Sequence, residues 1–511
     1  MSLNLASIVL NSCRYHPEST ALVHDGKTLS YSELARRVEA FAAHLHQLGV
    51  SPGDNVALVM NNRRSFTIAY FGILHAGATV VPLSFLSVGR EVAYALRDSE
   101  ASALVAWTDY EESARDGFEQ VDSCRTLLLV SETDGPLTME NGPAVDWDAQ
   151  CDMALTSPSD TAVILYTSGT TGQPKGAELT HFNMYSNAQA SNERLLSSSS
   201  CVQSLGPGHV FLSVLPLFHS FGQTSNQNCS VYGGAALSYV EKFSPEAVLS
   251  VMERDRVTVF TAVPTMYFQI LNVENAERYD LSSLRYCLSG GAAMPVEVMK
   301  EFEERYDVKI LEGYGLSETS PVATFNVLNK ERKPGSIGEA IFGCEVKIFD
   351  DNDVELSADE VGEIVIRGYN VMKGYYNRPE ATAEAFRNGW FHTGDMAKKD
   401  EDGYIFIVDR KKDLIIRGGF NVYPREVEEV LYSHPAVNEA AVIGVPDDRY
   451  GEEIKAYVAL KAEADVEELR QFCKDNLAAT KYPRLIEVLP ELPKGSTGKI
   501  LRKDLRALAN L

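Results

Sequence analysis

The chain has 511 residues, of which 45% are hydrophobic and 23% charged, with a formal net charge of −24. That length can bury large cores and calls for two or more domains. The acidic balance speaks against a nucleic-acid partner, because phosphate backbones need a basic face, and any anionic substrate must be drawn in by local positive groups.

The N-terminal Met1-Ser2-Leu3-Asn4-Leu5 has no basic residue ahead of its apolar ones, so no signal peptide is expected. Nor is the C-terminal Leu508-Ala509-Asn510-Leu511 a peroxisomal address. No apolar run approaches the roughly 20 residues of a membrane span. The eight cysteines form no C-x-x-C pair and are spread along the chain. They read as reduced thiols in a cytoplasmic protein, with no Cys/His metal site.

From residue 30 to 107 helix and strand alternate. Ser30 and Glu33 have capping-box spacing, and Leu34, Val38, Phe41, Leu45 and Leu48 follow at helical period up to Gly49. Val56–Met60, Thr79–Val81 and Ala103–Val105 read as buried strands, with helices over 65–75 and 91–97 between them. The alternation predicts a parallel, doubly wound sheet. Residues 132–160 are rich in Asp, Gly, Pro, Ser and Thr without a period and read as a surface connection, as does the serine run 197–200.

Ala162-Val163-Ile164-Leu165 is a strand that leads into Tyr166-Thr167-Ser168-Gly169-Thr170-Thr171-Gly172-Gln173-Pro174-Lys175-Gly176. Glycines let backbone N–H groups close around an anion, hydroxyls add donors, and Lys175 adds a compact charge. Such a loop suits a polyphosphate. It is neither a Walker A loop nor a G-x-G-x-x-G dinucleotide loop, since both spacings are absent.

Phe211–Leu215 reads as a strand before Pro216-Leu217-Phe218-His219-Ser220, where a lone His beside aromatic residues is by itself more often structural than functional. A strand over 285–289 ends in Gly290-Gly291-Ala292, which reads as a place where a flat base meets bare backbone or as an ordinary turn before a helix opened by Pro295. In Leu311-Glu312-Gly313-Tyr314-Gly315-Leu316-Ser317-Glu318, Tyr314 offers a ring face between glycines. Ser317 can donate to phosphate, and Glu318 is a hard carboxylate suited to Mg²⁺. Pro334–Gly338 and Gly362–Gly368 read as short strands of a small antiparallel, barrel-like subdomain. Asp395, after Gly394, has the form of an Asx turn, and Asp409-Arg410-Lys411-Lys412-Asp413 that of a solvated charge run. Gly418-Gly419 forms a glycine-rich loop, and residues 436–490 read as a compact α+β unit. Near the end, Pro493-Lys494-Gly495-Ser496-Thr497-Gly498-Lys499 could carry Lys499 on a loop.

In order and spacing these motifs resemble those of the adenylate-forming superfamily, which contains acyl- and aryl-CoA synthetases, amino-acid adenylation domains and firefly luciferase. The resemblance covers nearly the whole chain. It implies an N-terminal adenylation domain over 1–408, a hinge at 409–412 and a small rotating C-terminal domain over 413–511. It implies ATP, Mg²⁺ and coenzyme A, with Thr167, Ser168, Gly169, Thr170, Thr171, Gly172 and Lys175 on the phosphates and Glu318 on the metal. Gly290, Gly291, Ala292, Gly313, Tyr314, Gly315, Ser317, Asp395 and Arg410 would then surround the nucleotide, with Asp395 on the ribose hydroxyls. His219 would edge the carboxylate pocket, Lys412 would be the hinge residue, and Lys499 would bridge carboxylate and α-phosphate. Gly418 and Gly419 would line a pantetheine channel after domain rotation.

The step Phe218-His219 carries no acid where amino-acid adenylation domains use Asp, which disfavours an amino acid. The stretches 219–233, 261–268 and 313–323 should line the acid pocket, with Phe221, Tyr232, Val263, Met266 and Phe268, so a hydrophobic carboxylic acid is expected. Between Gly338 and Gly362 there is no room for the added segment of fatty-acyl-AMP ligases, which favours free CoA over an acyl carrier protein. Aliphatic, aryl (coumarate-like) and natural-product acids stay open, as does a monomer against a homodimer.

Overall fold

The computed structural model describes residues 2–131, 138–139, 145–167, 173–194, 205–328, 330–447, 449–495 and 498–509. Their strands form four sheets. One has eight strands, in spatial order Gly374–Tyr375, Lys175–Thr180, Thr161–Thr167, Thr79–Leu83, Asn55–Val59, Ala103–Trp107, Thr126–Ser131 and Thr138–Met139. Its middle is parallel, and Asn55–Val59, Thr79–Leu83 and Ala103–Trp107 are buried at every residue. Burial on both faces is why these strands show as unbroken apolar runs.

The second sheet has nine strands: Glu339–Ala340, Val322–Phe325, Ile310–Gly315, Tyr286–Ser289, Val259–Ala262, Val210–Ser213, Ala236–Tyr239, Thr20–His24 and Lys27–Ser30. Helix Arg64–His75 is buried along its whole length and touches strands of both sheets. An all-round apolar helix belongs in such a middle layer. Helix Tyr31–Gln47 packs on it so closely that a Cβ on Gly72 would lie 2.6 Å from Phe41 Cδ1. It starts with the expected capping box: Glu33 N–H donates to Ser30 Oγ (3.2 Å) and Ser30 N–H to Glu33 Oε2 (2.8 Å).

Several elements escaped the sequence reading. Helix Ser7–Tyr15 and the hairpin Thr20–His24/Lys27–Ser30 precede the first predicted helix, and the hairpin joins the second sheet beside Ala236–Tyr239. Helix Glu111–Glu119 and strand Thr126–Ser131 follow the last predicted strand of the first sheet. Pro334–Gly338, expected as a strand, is a turn: Gly338 (φ 79°) lies against the Phe325–Asn326 backbone with no room for a Cβ.

The small subdomain is an antiparallel sheet of Cys344–Phe349, Gly362–Gly368, Trp390–Lys399, Phe386–Arg387 and Ile405–Arg410. A fourth sheet, Phe420–Val422, Ile415–Arg417, Gly451–Leu460, Val437–Asp447 and Leu485–Val488, has its own core around Val427, Leu431, Val442, Ile454 and Leu469. The seven described cysteines are free, and Cys201 lies outside the described residues. Among the described residues, no helix is long and apolar enough to cross a membrane.

Candidate active site

Strands Thr161–Thr167 and Lys175–Thr180 pair antiparallel with Thr167 opposite Lys175, so the predicted phosphate loop is the connection of a hairpin. Ser168, Gly169, Thr170, Thr171 and Gly172 lie outside the described residues, as do Ser496 and Thr497 and the serine run. At the hairpin's end, Lys175 Nζ stands 5.2 Å from the centre of the Tyr375 ring. Tyr375 OH in turn donates to Glu318 Oε1 at 3.0 Å. Glu318 is buried on the turn Ser317–Thr319. Burial raises its carboxyl pKa, opposed by hydrogen bonds from its own backbone, Tyr375 and Thr167 and by the charge of Arg410. Its hydrogen-bond donors are all neutral, so a hard cation beside it would relieve the cost of burying the charge. Tyr375 carried no motif signal; only the fold shows that it links the loop to Glu318.

Tyr314, at the end of strand Ile310–Gly315, donates its hydroxyl to Asp395 Oδ2 at 2.6 Å. Burial, then Asp395, holds the phenol well above its usual pKa, so it stays a donor. Asp395 sits within strand Trp390–Lys399, opposite Arg410 of Ile405–Arg410, and Arg410 Nε lies 3.2 Å from Oδ1. The Thr393 hydroxyl accepts from Asp395 N–H (3.1 Å) and donates to the Ile364 carbonyl (2.8 Å), which fixes the bend at Gly394. Both Asp395 oxygens are therefore engaged, each with a lone pair left for a ligand hydroxyl. Gly313 and Gly315 have a packing reason beyond access: a Cβ on the first would strike the Phe325 ring, and on the second the Pro321 carbonyl. Gly290 is buried against Phe221, whose Cζ would lie 3.0 Å from its Cβ, whereas Gly291 (φ 79°) and Ala292 are exposed. Ser317 Oγ is 3.4 Å from Ser220 Oγ, which joins this motif to the His219 segment.

Phe221 N–H donates to His219 Nδ1 at 3.3 Å, so the neutral ring carries its proton on Nε2. Burial, then Lys499, pushes the His219 pKa down to about 4. Lys499 arrives from the last loop of the chain. Thr265 Oγ1 donates to the Gly498 carbonyl at 3.2 Å, which docks that loop on the N-terminal lobe. Lys499 keeps part of its surface in contact with solvent while packed atoms shield its charge. Crowding, then the Arg410 charge, lower its pKa to about 8, with Arg502 adding to this and Asp395 and Asp413 opposing it. Lys412, on the turn Lys411–Asp413, is lowered by burial and then by Arg410.

The fold thus gathers His219, Glu318, Tyr314, Asp395, Arg410, Lys412 and Lys499 in one cleft. It leaves Gly418 and Gly419 outside. They form the turn of hairpin Ile415–Arg417/Phe420–Val422, at φ 58° and 83°, and a Cβ on Gly419 would meet open space. A further group had no assigned role in the sequence. Arg502 Nη1 lies 3.1 Å from Asp409 and 3.2 Å from Asp413, and Nη2 2.7 Å from Glu428. Its place three residues after Lys499 was the available signal. Among the described residues, no cluster of three His, Cys, Asp or Glu could hold a metal by itself.

An apolar cavity is walled by Ala190, Ser191, Phe221, Ser225, Cys229, Leu288, Val322, Phe325 and Ile341. Of the five residues expected to line the acid pocket, Phe221 lines this cavity. Met266 is buried in the core of the second sheet, Phe268 lies under Lys461, and Tyr232 donates to Glu193. Val263 stands beside Gly291 and Gly498 at the docked loop. Walls from residues 190, 288 and 341 depend on tertiary packing, which has no local signal.

The family model described as AMP-binding enzyme matches residues 9–376, and that described as AMP-binding enzyme C-terminal domain matches 426–499. The long-chain-fatty-acid–CoA ligase of Bacillus subtilis (strain 168) is 38% identical over 98% of this chain and 94% of its own length. A feruloyl-CoA synthase from Amycolatopsis sp is also 38% identical, with 98% of each chain covered. Among solved structures, the anthranilate CoA ligase AuaEII in complex with anthranoyl-AMP superposes with a TM-score of 0.91 at 29% identity, covering 100% of this chain and 98% of that one.

Proposed function

The chain belongs to the AMP-binding, adenylate-forming enzymes, and from that premise we propose how its own residues carry the activity of an acyl-CoA synthetase. The enzyme is an acid–thiol ligase that activates a carboxylic acid with ATP through acyl-AMP and passes the acyl group to CoA. The chemistry has a simple reason. A carboxylate is a poor acylating agent because its leaving group is oxide. Attack on the α-phosphorus of ATP makes pyrophosphate the first leaving group, and thiol attack on the adenylate then releases AMP. Positioning and charge stabilisation dominate such a transfer.

We assign Lys499 to the carboxylate and α-phosphate, where its charge meets the charge developing in the in-line step. His219, neutral and protonated on Nε2, edges the acid. Asp395 takes the ribose hydroxyls, held in place by Tyr314 and Arg410, and the hairpin end at Thr167 and Lys175 faces the departing phosphates. Glu318, with Thr167 beside it, is the site for Mg²⁺, which when bound neutralises phosphate charge. The observation that carries this reading is the approach of Lys499, from the end of the chain, to Asp395, Arg410 and His219.

Thiol attack needs the same carbon cleared of Lys499. We place the hinge at residues 409–412, between the two family-model matches, with 1–408 and 413–511 as the bodies it joins. Rotation would bring the Gly418-Gly419 turn to the acyl carbon. CoA is the acceptor, and the free cysteines fit a cytoplasmic setting. The apolar wall of the pocket favours a hydrophobic acid, aliphatic or aryl.

The test is pyrophosphate release over a panel of acids, with and without CoA. Acid-dependent release, with CoA consumed one for one, is expected. Release that ignores the acid, or a thioester step that ignores CoA, would overturn the reading.

A further inference from the structure

The acid pocket carries two hydroxyls that its apolar walls do not account for. Ser191 lies on helix His181–Arg194, and Ser225 on the π-helical segment Phe221–Asn228. Both line the cavity, both Oγ atoms are buried, and neither has a hydrogen-bond partner. Ser225 is only 5% exposed. Leaving a buried hydroxyl unpaired is costly, and π-helical turns are frequent at functional sites.

The amide side chains of the same segment, which do not line the cavity, each make one hydrogen bond and leave their other polar atom without a partner. Gln223 donates to the Leu217 carbonyl (3.0 Å), Asn226 to Leu212 (3.2 Å) and Asn228 to the Tyr70 hydroxyl (3.4 Å), while Thr67 donates to Gln227 (2.7 Å). Across the pocket, Asn187 donates to the Val322 carbonyl (2.7 Å) and Asn192 to that of Cys229 (3.0 Å), clamping the helix that carries Ser191. The Thr224 hydroxyl is also unpaired, but Thr224 is not part of the cavity wall. Among the described residues that line the cavity, Ser191 and Ser225 are the two whose side chains carry a buried polar atom without a partner. Ser225 lies six residues beyond His219, on the helical segment that follows it.

We propose that Ser191 and Ser225 form a polar subsite for a hydroxyl, ether or keto oxygen remote from the carboxylate, so that the preferred acid is oxygenated and not a plain hydrocarbon chain. The inference rests on the acyl-CoA synthetase reading and narrows its substrate class. A pocket that hydrogen-bonds a substrate oxygen rejects the analogue lacking it far more strongly than an apolar pocket discriminates by shape.

The test compares matched pairs of acids of equal length, with and without a remote hydroxyl, by pyrophosphate release at saturating ATP. The same pairs are run on Ser191→Ala, Ser225→Ala and the double variant. A kcat/KM preference of about tenfold or more for the oxygenated acid is expected in the wild type. It should fall to within about threefold in the double variant, mainly through KM, with activity on the hydrocarbon analogue kept. A wild type that prefers the hydrocarbon, or a preference untouched by the double variant, would overturn the subsite. The second of these is the result if the serines only hold a bridging water, for which the cavity of about 20 Å³ has room. Absence of pyrophosphate release with every acid would instead overturn the synthetase reading, and the subsite with it.

Discussion

Lys499 works in a setting that weakens its own charge. Crowding and two guanidiniums lower its pKa to about 8, so the ammonium is full below that pH and is lost as pH rises through it. If its charge serves adenylation, kcat/KM for acyl-AMP formation should be flat from about pH 6 to 7.5 and fall above about 8, since that parameter reports the free enzyme. A profile still rising at pH 9 would contradict this. His219, pushed to about 4, should add no inflection near its ordinary pKa. Lys499→Ala should lower acyl-AMP formation by about 10²–10³, as loss of one preorganised charge does elsewhere. It should still convert supplied acyl-AMP and CoA to thioester, and equal loss of both half-reactions would exclude the two-state role. Glu318, Asp395 and Lys499 were legible because their motifs are local. Tyr375 was not, because its link to Glu318 crosses the fold.

Among the elements, the last helix shows how the end of the chain is held. Arg502 opens helix Arg502–Ala509 and bonds Asp409, Asp413 and Glu428, and Arg506 adds 2.6 Å to Asp413. Asp413 would keep Arg506, but removing the Arg502 guanidinium leaves the charges of Asp409 and Glu428, both largely out of solvent, without that partner. Arg502→Met should cost about 3 kcal/mol, read as a lower urea midpoint for the variant. An unchanged midpoint would show that the network contributes little. The capping box at Ser30 and the buried strand runs were readable from period and composition. The hairpin at Thr20–Ser30 was not, although Asp25-Gly26 turns at positive φ, because its pairing partner lies over two hundred residues away in Ala236–Tyr239.

At the scale of the molecule, the Lys499 loop is docked through Thr265 while the Gly418-Gly419 turn lies outside the cleft, which is the arrangement the proposed domain rotation would start from. Gly419→Leu puts a side chain where space is open but φ is 83°, at a local cost of about 1–2 kcal/mol. Acid-dependent pyrophosphate exchange should stay within about twofold of wild type, while thioester formation falls about 10²-fold through misplacement in the thiol channel. Equal loss of both would place the turn's role in folding, not in the second step. The sequence by itself determined the reaction class and the alternating α/β architecture, and it picked out residues that the fold brings into one cleft. Phosphate cradles, metal carboxylates and buried strands are local patterns a few residues long. Only the tertiary structure decided where the Lys499 loop docks, which carboxylates hold Arg502, and which side chains wall the apolar cavity. Those contacts join segments from distant parts of the chain, and their energy comes from packing that no single stretch encodes.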